Sequence, residues 1–252
     1  MRIIYEPRGR AAEYAPLAVS LYRGCSHGCT YCFVPDVIHE HDREAFLNAR
    51  ARKDALKKLA LDCKELAAAG DQREILMSFT TDPYQPIEAQ HRLTSTAIGI
   101  LINHGLHFTI LTKAGIPSLF DLELLQQAPD LCRYATTLTL WVPEDEKRWE
   151  PNAAPWHERI KALKTMHDHG IRTWVSCEPV IYADQSRYLI AESLPHVDEY
   201  RIGALNHSDP VTSSADMVQF VKDVDYIMRF HHKRFVFKKD LQPYLQAAGV
   251  AP

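Results

Sequence analysis

Three thiols stand close together in the stretch Gly24-Cys25-Ser26-His27-Gly28-Cys29-Thr30-Tyr31-Cys32-Phe33, with three and then two residues between them. Thiolates at that spacing, on a loop opened by glycines, can wrap three corners of a cubane iron–sulfur cluster. No fourth protein ligand is obvious nearby, and an iron with an open position can bind a small molecule through its amine and carboxylate. Structural zinc is the competing reading, but it normally takes four ligands, often as two separated pairs. His27 is too close in sequence to complete a tetrahedron comfortably, and Cys63, Cys132 and Cys177 are scattered singly. Six cysteines in 252 residues are too sparse for a disulfide scaffold, so the clustered ones read as metal ligands or catalytic groups.

A loop of this kind needs a rigid frame, and the hydrophobic pattern supplies one. Short apolar, β-branched runs recur at 17–22, 74–79, 107–112, 134–140, 171–177 and 200–205, with a weaker seventh at 234–238. Such runs suit strands covered on both faces, as in a parallel sheet. Between them lie helical stretches. In the first, about 43–69, Leu56, Leu59, Ala60, Cys63, Leu66 and Ala67 fall at helical spacing and Gly70 is a plausible stop. Others lie near 89–104, 118–127, 157–169, 184–193 and 214–230, with Gly105 and Gly170 placed for left-handed C-caps. Strand–helix alternation of this length means right-handed crossovers. The expected fold is α/β, a partial (β/α)6-7 TIM-like barrel with parallel strands. It forms one domain over 1–252, with a core of about 14–238 and a C-terminal extension at 239–252. The cysteine loop follows the first strand, at the C-terminal strand ends where barrels bind their ligands.

Bulk properties narrow the function. Net charge is −3, so no overall basic field draws the chain onto nucleic acid. No apolar run approaches the length of a membrane span. Met1-Arg2-Ile3-Ile4-Tyr5-Glu6-Pro7 lacks the apolar core of a signal peptide, which points to the cytoplasm. One basic cluster, His231-His232-Lys233-Arg234 with Lys238-Lys239, reads as a solvated face, a phosphate contact being the alternative.

The cysteine motif, with aromatic Tyr31 before its last thiol, resembles that of the radical S-adenosylmethionine superfamily, and the closer likeness is to spore photoproduct lyase and its relatives. The shared stretches are Gly28-Cys29-Thr30-Tyr31-Cys32, Thr81-Asp82-Pro83-Tyr84-Gln85-Pro86-Ile87-Glu88 and Leu111-Thr112-Lys113. A looser match runs from Trp149-Glu150-Pro151 through Ala154-Pro155 to Arg159 and on to Gly170-Ile171. Together they cover roughly 14–205. The resemblance implies a [4Fe–4S] cluster on Cys25, Cys29 and Cys32 that binds the methionine end of S-adenosylmethionine. One electron then cleaves the sulfonium to methionine and a 5′-deoxyadenosyl radical, which abstracts a substrate hydrogen. It also implies an electron donor such as flavodoxin or ferredoxin.

The remaining site residues follow from position and resemblance together. Tyr31 would lie near the adenine or pack the loop. Thr81 and Asp82 follow the second strand, where Asp82 would accept from the methionine amine or cap the turn before Pro83. Lys113 closes the third strand; the resemblance implies contact with the methionine carboxylate. Thr137 and Thr139, on one face of the fourth strand, would bind ribose or simply pack. Glu178, at the end of the fifth, would face ribose or substrate. Tyr84, Arg201, Asn206 and His207 would line the substrate end. Cys177 would return a hydrogen atom, as photoproduct repair requires, or be an inert buried thiol. Two departures weigh against carrying that repair reaction over: only 24 residues precede Cys25, and the chain is net acidic. The substrate stays open, with a nucleotide or nucleic acid among the candidates. The other functions weighed are photoproduct repair proper, an iron–sulfur electron carrier without its own catalysis, and a zinc-stabilised binding protein.

Overall fold

The computed structural model describes residues 2–40, 42–206 and 209–251. Its strands are β1 (Ile4–Tyr5), β2 (Leu17–Val19), β3 (Tyr22–Arg23), β4 (Arg50–Ala51), β5 (Ile75–Met77), β6 (Phe108–Thr112), β7 (Cys132–Thr137), β8 (Arg172–Val180), β9 (Glu199–Ala204) and β10 (Arg234–Phe237). Eight of them form one sheet in the order β1-β2-β5-β6-β7-β8-β9-β10. Every pairing from β2 to β10 is parallel, and only β1 runs antiparallel at the edge. All seven runs read as strands from the sequence are thus strands of one incomplete barrel. Edge strand β1 lies upstream of the expected core. Asp62, on the helix Ala55–Ala68, accepts from the backbone N–H groups of both Ile3 and Ile4 at 2.6 and 2.8 Å and holds that edge in place. Asp62→Ala leaves two buried donors unmatched and is expected to cost about 2 kcal/mol, read as a lower midpoint in urea denaturation.

Period-two alternation decides what faces inward. Leu17, Val19, Ile75, Met77, Phe108, Ile110 and Tyr134 join the main core beneath the outer helices. Ala18, Leu76, Ala135 and Trp174 form a separate inner cluster. Alanine at 18 and 135 leaves room for the Trp174 indole, whose Nε1 donates to Thr109 Oγ1 at 2.7 Å. Below it Arg133 bridges Glu74 and Glu199 at 2.6 and 3.0 Å. The inside of the barrel is therefore filled from the bottom to the level of Trp174. Above that level the strand ends are left to line a cavity.

Two expectations about the elements change. The helical stretch at 43–69 is broken. A short helix Arg43–Leu47 leads into β4, which pairs with β3, and the helix proper begins at Ala55. The stretch at 89–104 is likewise divided at Arg92, whose backbone is left-handed. The C-terminal extension carries a helix, Gln242–Ala248, that packs on the helix Ser214–Phe230, with Leu241 and Leu245 buried. Among the described residues no helix is long and apolar enough to cross a membrane.

Candidate functional site

A cavity of about 410 Å³ opens at the C-terminal ends of the strands. Cys25, Cys29 and Cys32 line it together with Ser176, Glu178, Asn206 and Lys238. That size suits a small-molecule site. The cysteine loop is not held by its own sequence alone. Thr81 Oγ1 donates to Gly24 O at 2.5 Å, and Gln85 Oε1 accepts from Ser26 N at 3.0 Å while its Nε2 donates to Thr81 Oγ1 at 2.7 Å. From another side, Thr30 N donates to Trp149 O at 2.8 Å, and Asn152 Nδ2 donates to Ser26 O at 3.0 Å. The stretches around Thr81–Gln85 and Trp149–Asn152 therefore clamp one loop from two directions.

Gly24 is the tightest point. Its φ is +82°, and a Cβ there would lie 2.4 Å from the carbonyl oxygen of Phe46, the same oxygen that accepts from Cys25 N. Both the strained conformation and the backbone clash forbid a side chain. Gly24→Ala is expected to displace the loop and reduce iron retained after reconstitution to below half that of the wild type, measured by iron analysis.

Burial raises the cost of ionising these thiols. It pushes Cys29 up to about 12 and raises Cys25 and Cys32 as well, while Lys113 pulls Cys29 and Cys32 the other way. Buried thiolates need a cation beside them, and bound iron supplies one. Among the described residues, the one group of three or more His, Cys, Asp or Glu side chains whose ligand atoms all lie within 4.8 Å of one another is His167, Asp168 and His196. That group sits at the opposite ends of the strands. The three cysteines instead share the lining of the cavity at the other end, and three thiols on one loop can hold three corners of a cubane. His27 turns its Nδ1 to Asp82 Oδ2 at 3.4 Å instead of joining the thiols.

A second layer supports the first. The Tyr31 hydroxyl donates to Glu150, which pairs with Arg159 at 2.6 Å, both of them buried. Arg159 also donates to Ala154 O at 2.6 Å and Thr137 O at 3.1 Å, tying the end of β7 to the clamp. Burial alone would discharge Lys113, but neighbouring Cys29 and Glu150 outweigh it and hold its pKa above the ordinary lysine value. Its ammonium lies 5.6 Å from the centre of the Tyr31 ring.

The family model of the radical SAM superfamily matches residues 19–183. The chain belongs to the radical SAM superfamily. An uncharacterised protein of Methanocaldococcus jannaschii is 26% identical over 193 residues, covering 76% of this chain and 71% of that protein. An uncharacterised protein of Mycobacterium tuberculosis is 28% identical over 173 residues, covering 65% of this chain and 49% of its own. Among solved structures, Streptococcus suis SuiB bound to S-adenosylmethionine superposes with a TM-score of 0.65 at 13% identity, covering 88% of this chain and 49% of SuiB. Spore photoproduct lyase complexed with dinucleoside spore photoproduct gives 0.65 at 13% identity, covering 93% and 80%. At such identities these structures speak for the fold alone. The chain spans about half the length of the mycobacterial relative and of SuiB. The cofactors of that superfamily are a [4Fe–4S] cluster and S-adenosylmethionine, and the three cysteines that line the cavity fit such a cluster.

Against this radical SAM frame the residues singled out from the sequence divide. Tyr31, Thr81, Asp82, Lys113, Thr137, Glu178 and Asn206 line the cavity with the three cysteines. Asp82 is heavily committed, accepting from Tyr84 N, Thr112 Oγ1 and Lys113 N at 2.7–2.9 Å. Thr139 does not line the cavity: β7 ends at Thr137, so the expected shared face is lost two residues earlier. Tyr84 faces away, its hydroxyl donating to Asp121 at 2.9 Å. Arg201 lies beneath the cavity, over the Trp174 ring at 4.5 Å and donating to the Tyr14 carbonyl. Cys177 points to the outer face, fully buried in the main core, because its neighbours Ser176 and Glu178 take the inward positions. Burial pushes its thiol up to about 12, and a hydrogen-donor role in the cavity is out of its reach. His207 falls outside the described residues.

Two important residues escaped the sequence reading. Lys238 is not on a solvated face: it is 4% exposed, pairs with Glu178, and lies 3.1 Å from the centre of the Tyr14 ring. Tyr14, from the turn that fills the open side of the barrel, donates to Glu178. Gly203 makes this possible, since a Cβ there would meet Glu178 Cδ at 2.8 Å. The only signal in the sequence was that Lys238 directly follows the last strand, as Lys113 directly follows β6.

Proposed function

We propose that this chain is a hydrogen-abstracting radical enzyme acting on a small polar substrate, or a small polar group of a larger one, held against Lys238 and Asn206. When bound, the cluster and S-adenosylmethionine supply one-electron cleavage of the sulfonium and a 5′-deoxyadenosyl radical that takes a hydrogen atom from substrate. The single observation that carries the reading is the shared cavity: three thiols and the charged and polar groups Glu178, Lys238 and Asn206 line one space of about 410 Å³. An electron carrier has no use for such a space. Lys113, held charged, is the partner for the methionine carboxylate, and Asp82 orients it by fixing its backbone. Tyr31, tied down by Glu150, offers a fixed ring to the adenine, and Thr137 and Glu178 stand where a ribose hydroxyl needs partners. Lys238 and Asn206 are left to the substrate, and the polar edge of a nucleotide or an extruded base is a group such side chains can recognise.

Photoproduct repair is the second reading, favoured by the likeness to spore photoproduct lyase. It needs a thiol to return hydrogen, and none of Cys63, Cys132 and Cys177 lines the cavity. We therefore rank it below an unassigned substrate. Flavodoxin or ferredoxin is the reductant we assign, and the cytoplasm, which keeps all six thiols reduced, the compartment. The test is anaerobic reconstitution, reduction with dithionite, addition of S-adenosylmethionine and quantification of 5′-deoxyadenosine. Formation of at least one equivalent per protein is expected. A protein that holds four irons yet makes none would return the reading to an electron carrier.

A further inference from the structure

The outer cover of the cysteine loop is built from the segment 43–58, which carries six basic residues, Arg43, Arg50, Arg52, Lys53, Lys57 and Lys58, against acidic Glu44 and Asp54. The whole chain is net −3, so this excess of positive charge is local. Its placement is what gives it meaning. Phe46 O accepts from Cys25 N at 2.9 Å, and the Leu47 side chain lies against Gly28. Arg43 Nη2 donates to Gly28 O, one residue before Cys29, at 2.9 Å. Arg23, two residues before Cys25, is also exposed. One layer of backbone thus separates the surface cations from the three thiols.

We propose that this face, centred on Arg50 and Lys53 with Arg23 and Arg43 beside it, docks a small acidic electron-transfer protein that reduces the cluster. The inference rests on the radical-enzyme reading and adds where the electron enters. Arg50, Arg52, Lys53 and Lys57 are exposed and form no ion pair with any described residue, whereas Arg23 pairs with Glu40 at 3.5 Å and Arg43 donates to Gly28 O at 2.9 Å. The acidic groups on the same face are Asp42 and Glu44, at the start of the helix Arg43–Leu47, Asp54, Glu40 beside Arg23, and Asp36 on the neighbouring helix Val34–Val37, so the cations still outnumber them. Complementary charge raises the encounter rate and fixes orientation without demanding a large apolar contact. Electron-transfer complexes are of this kind, small in area and short-lived.

The test uses the full-length, reconstituted protein and the variant Arg50→Glu/Lys53→Glu, neither residue touching the cavity. Binding of a dye-labelled flavodoxin is followed by fluorescence anisotropy at low salt. 5′-Deoxyadenosine formation is then driven in parallel by reduced flavodoxin and by dithionite. The expected result is a loss of flavodoxin binding and of the flavodoxin-driven rate of tenfold or more, with the dithionite-driven rate unchanged. Raising salt should slow the wild-type flavodoxin reaction and leave the variant indifferent. Equal flavodoxin binding by both proteins overturns the proposal. So does a parallel fall in both rates, which would mean the substitutions damage the loop. Binding of a labelled single-stranded oligonucleotide to this face in place of flavodoxin would reassign it to a nucleic-acid partner. Absence of product with dithionite in the wild type would instead overturn the enzyme reading beneath it, while flavodoxin binding would still report on the face.

Discussion

Arg159→Met is expected to destabilise the protein by about 3–5 kcal/mol, because it strands the Glu150 carboxylate at 3% exposure without its ion partner. A chain of this size loses about 2–4 °C of melting temperature per kcal/mol, so the drop should reach about 6–20 °C by calorimetry. The double variant Glu150→Gln/Arg159→Met removes both charges and should recover a large part of the loss. If the double variant is as unstable as the single one, packing rather than charge holds the clamp. Acid makes a related prediction. Burial raises the Glu150 pKa, but Arg159 and Lys113 outweigh it and bring it below the ordinary glutamate value. Its stabilising contribution is therefore full above the unfolded value of about 4.3. It is lost as the pH falls through the lower folded value. Urea midpoints measured from pH 6 down to pH 3 should show the wild type losing stability that the double variant never had.

Cys29→Ala is expected to have the largest effect on chemistry. Cys29 is the deepest of the three thiols and lies between the other two in the loop. Losing it should cut 5′-deoxyadenosine production at least a hundredfold and abolish the low-temperature paramagnetic signal of the reduced cluster. The fold should survive, since the loop is pinned by Thr81, Gln85 and Trp149 through backbone and side-chain bonds that do not involve the sulfur. Circular dichroism and the melting temperature of the iron-free proteins should therefore match. Cys177→Ala is the contrasting case. It leaves a void among core residues and is expected to lower stability by roughly 1 kcal/mol. Product formation at a temperature where it is folded should be unchanged, which a hydrogen-donor role for that thiol would not allow.

The sequence by itself determined the chemistry and the frame. Short-range spacing is legible because it needs no knowledge of the rest of the chain: three thiols within eight residues mark a metal or cluster site, and seven apolar runs alternating with helical stretches suit a parallel sheet. Strand-end position then brought Asp82, Lys113, Thr137 and Glu178 to the cavity, since every parallel strand points its C-terminal end the same way. What only tertiary structure decided is where each strand stops and which face each residue takes. Ending β7 at Thr137 removed Thr139 from the wall, and a one-residue alternation turned Cys177 outward while Ser176 and Glu178 turned in. The Glu150–Arg159 clamp and the Tyr14–Glu178–Lys238 group join residues separated by loops and by the whole length of the barrel. A buried charge is stable only beside its partner, and sequence distance carries no information about which charge that partner will be.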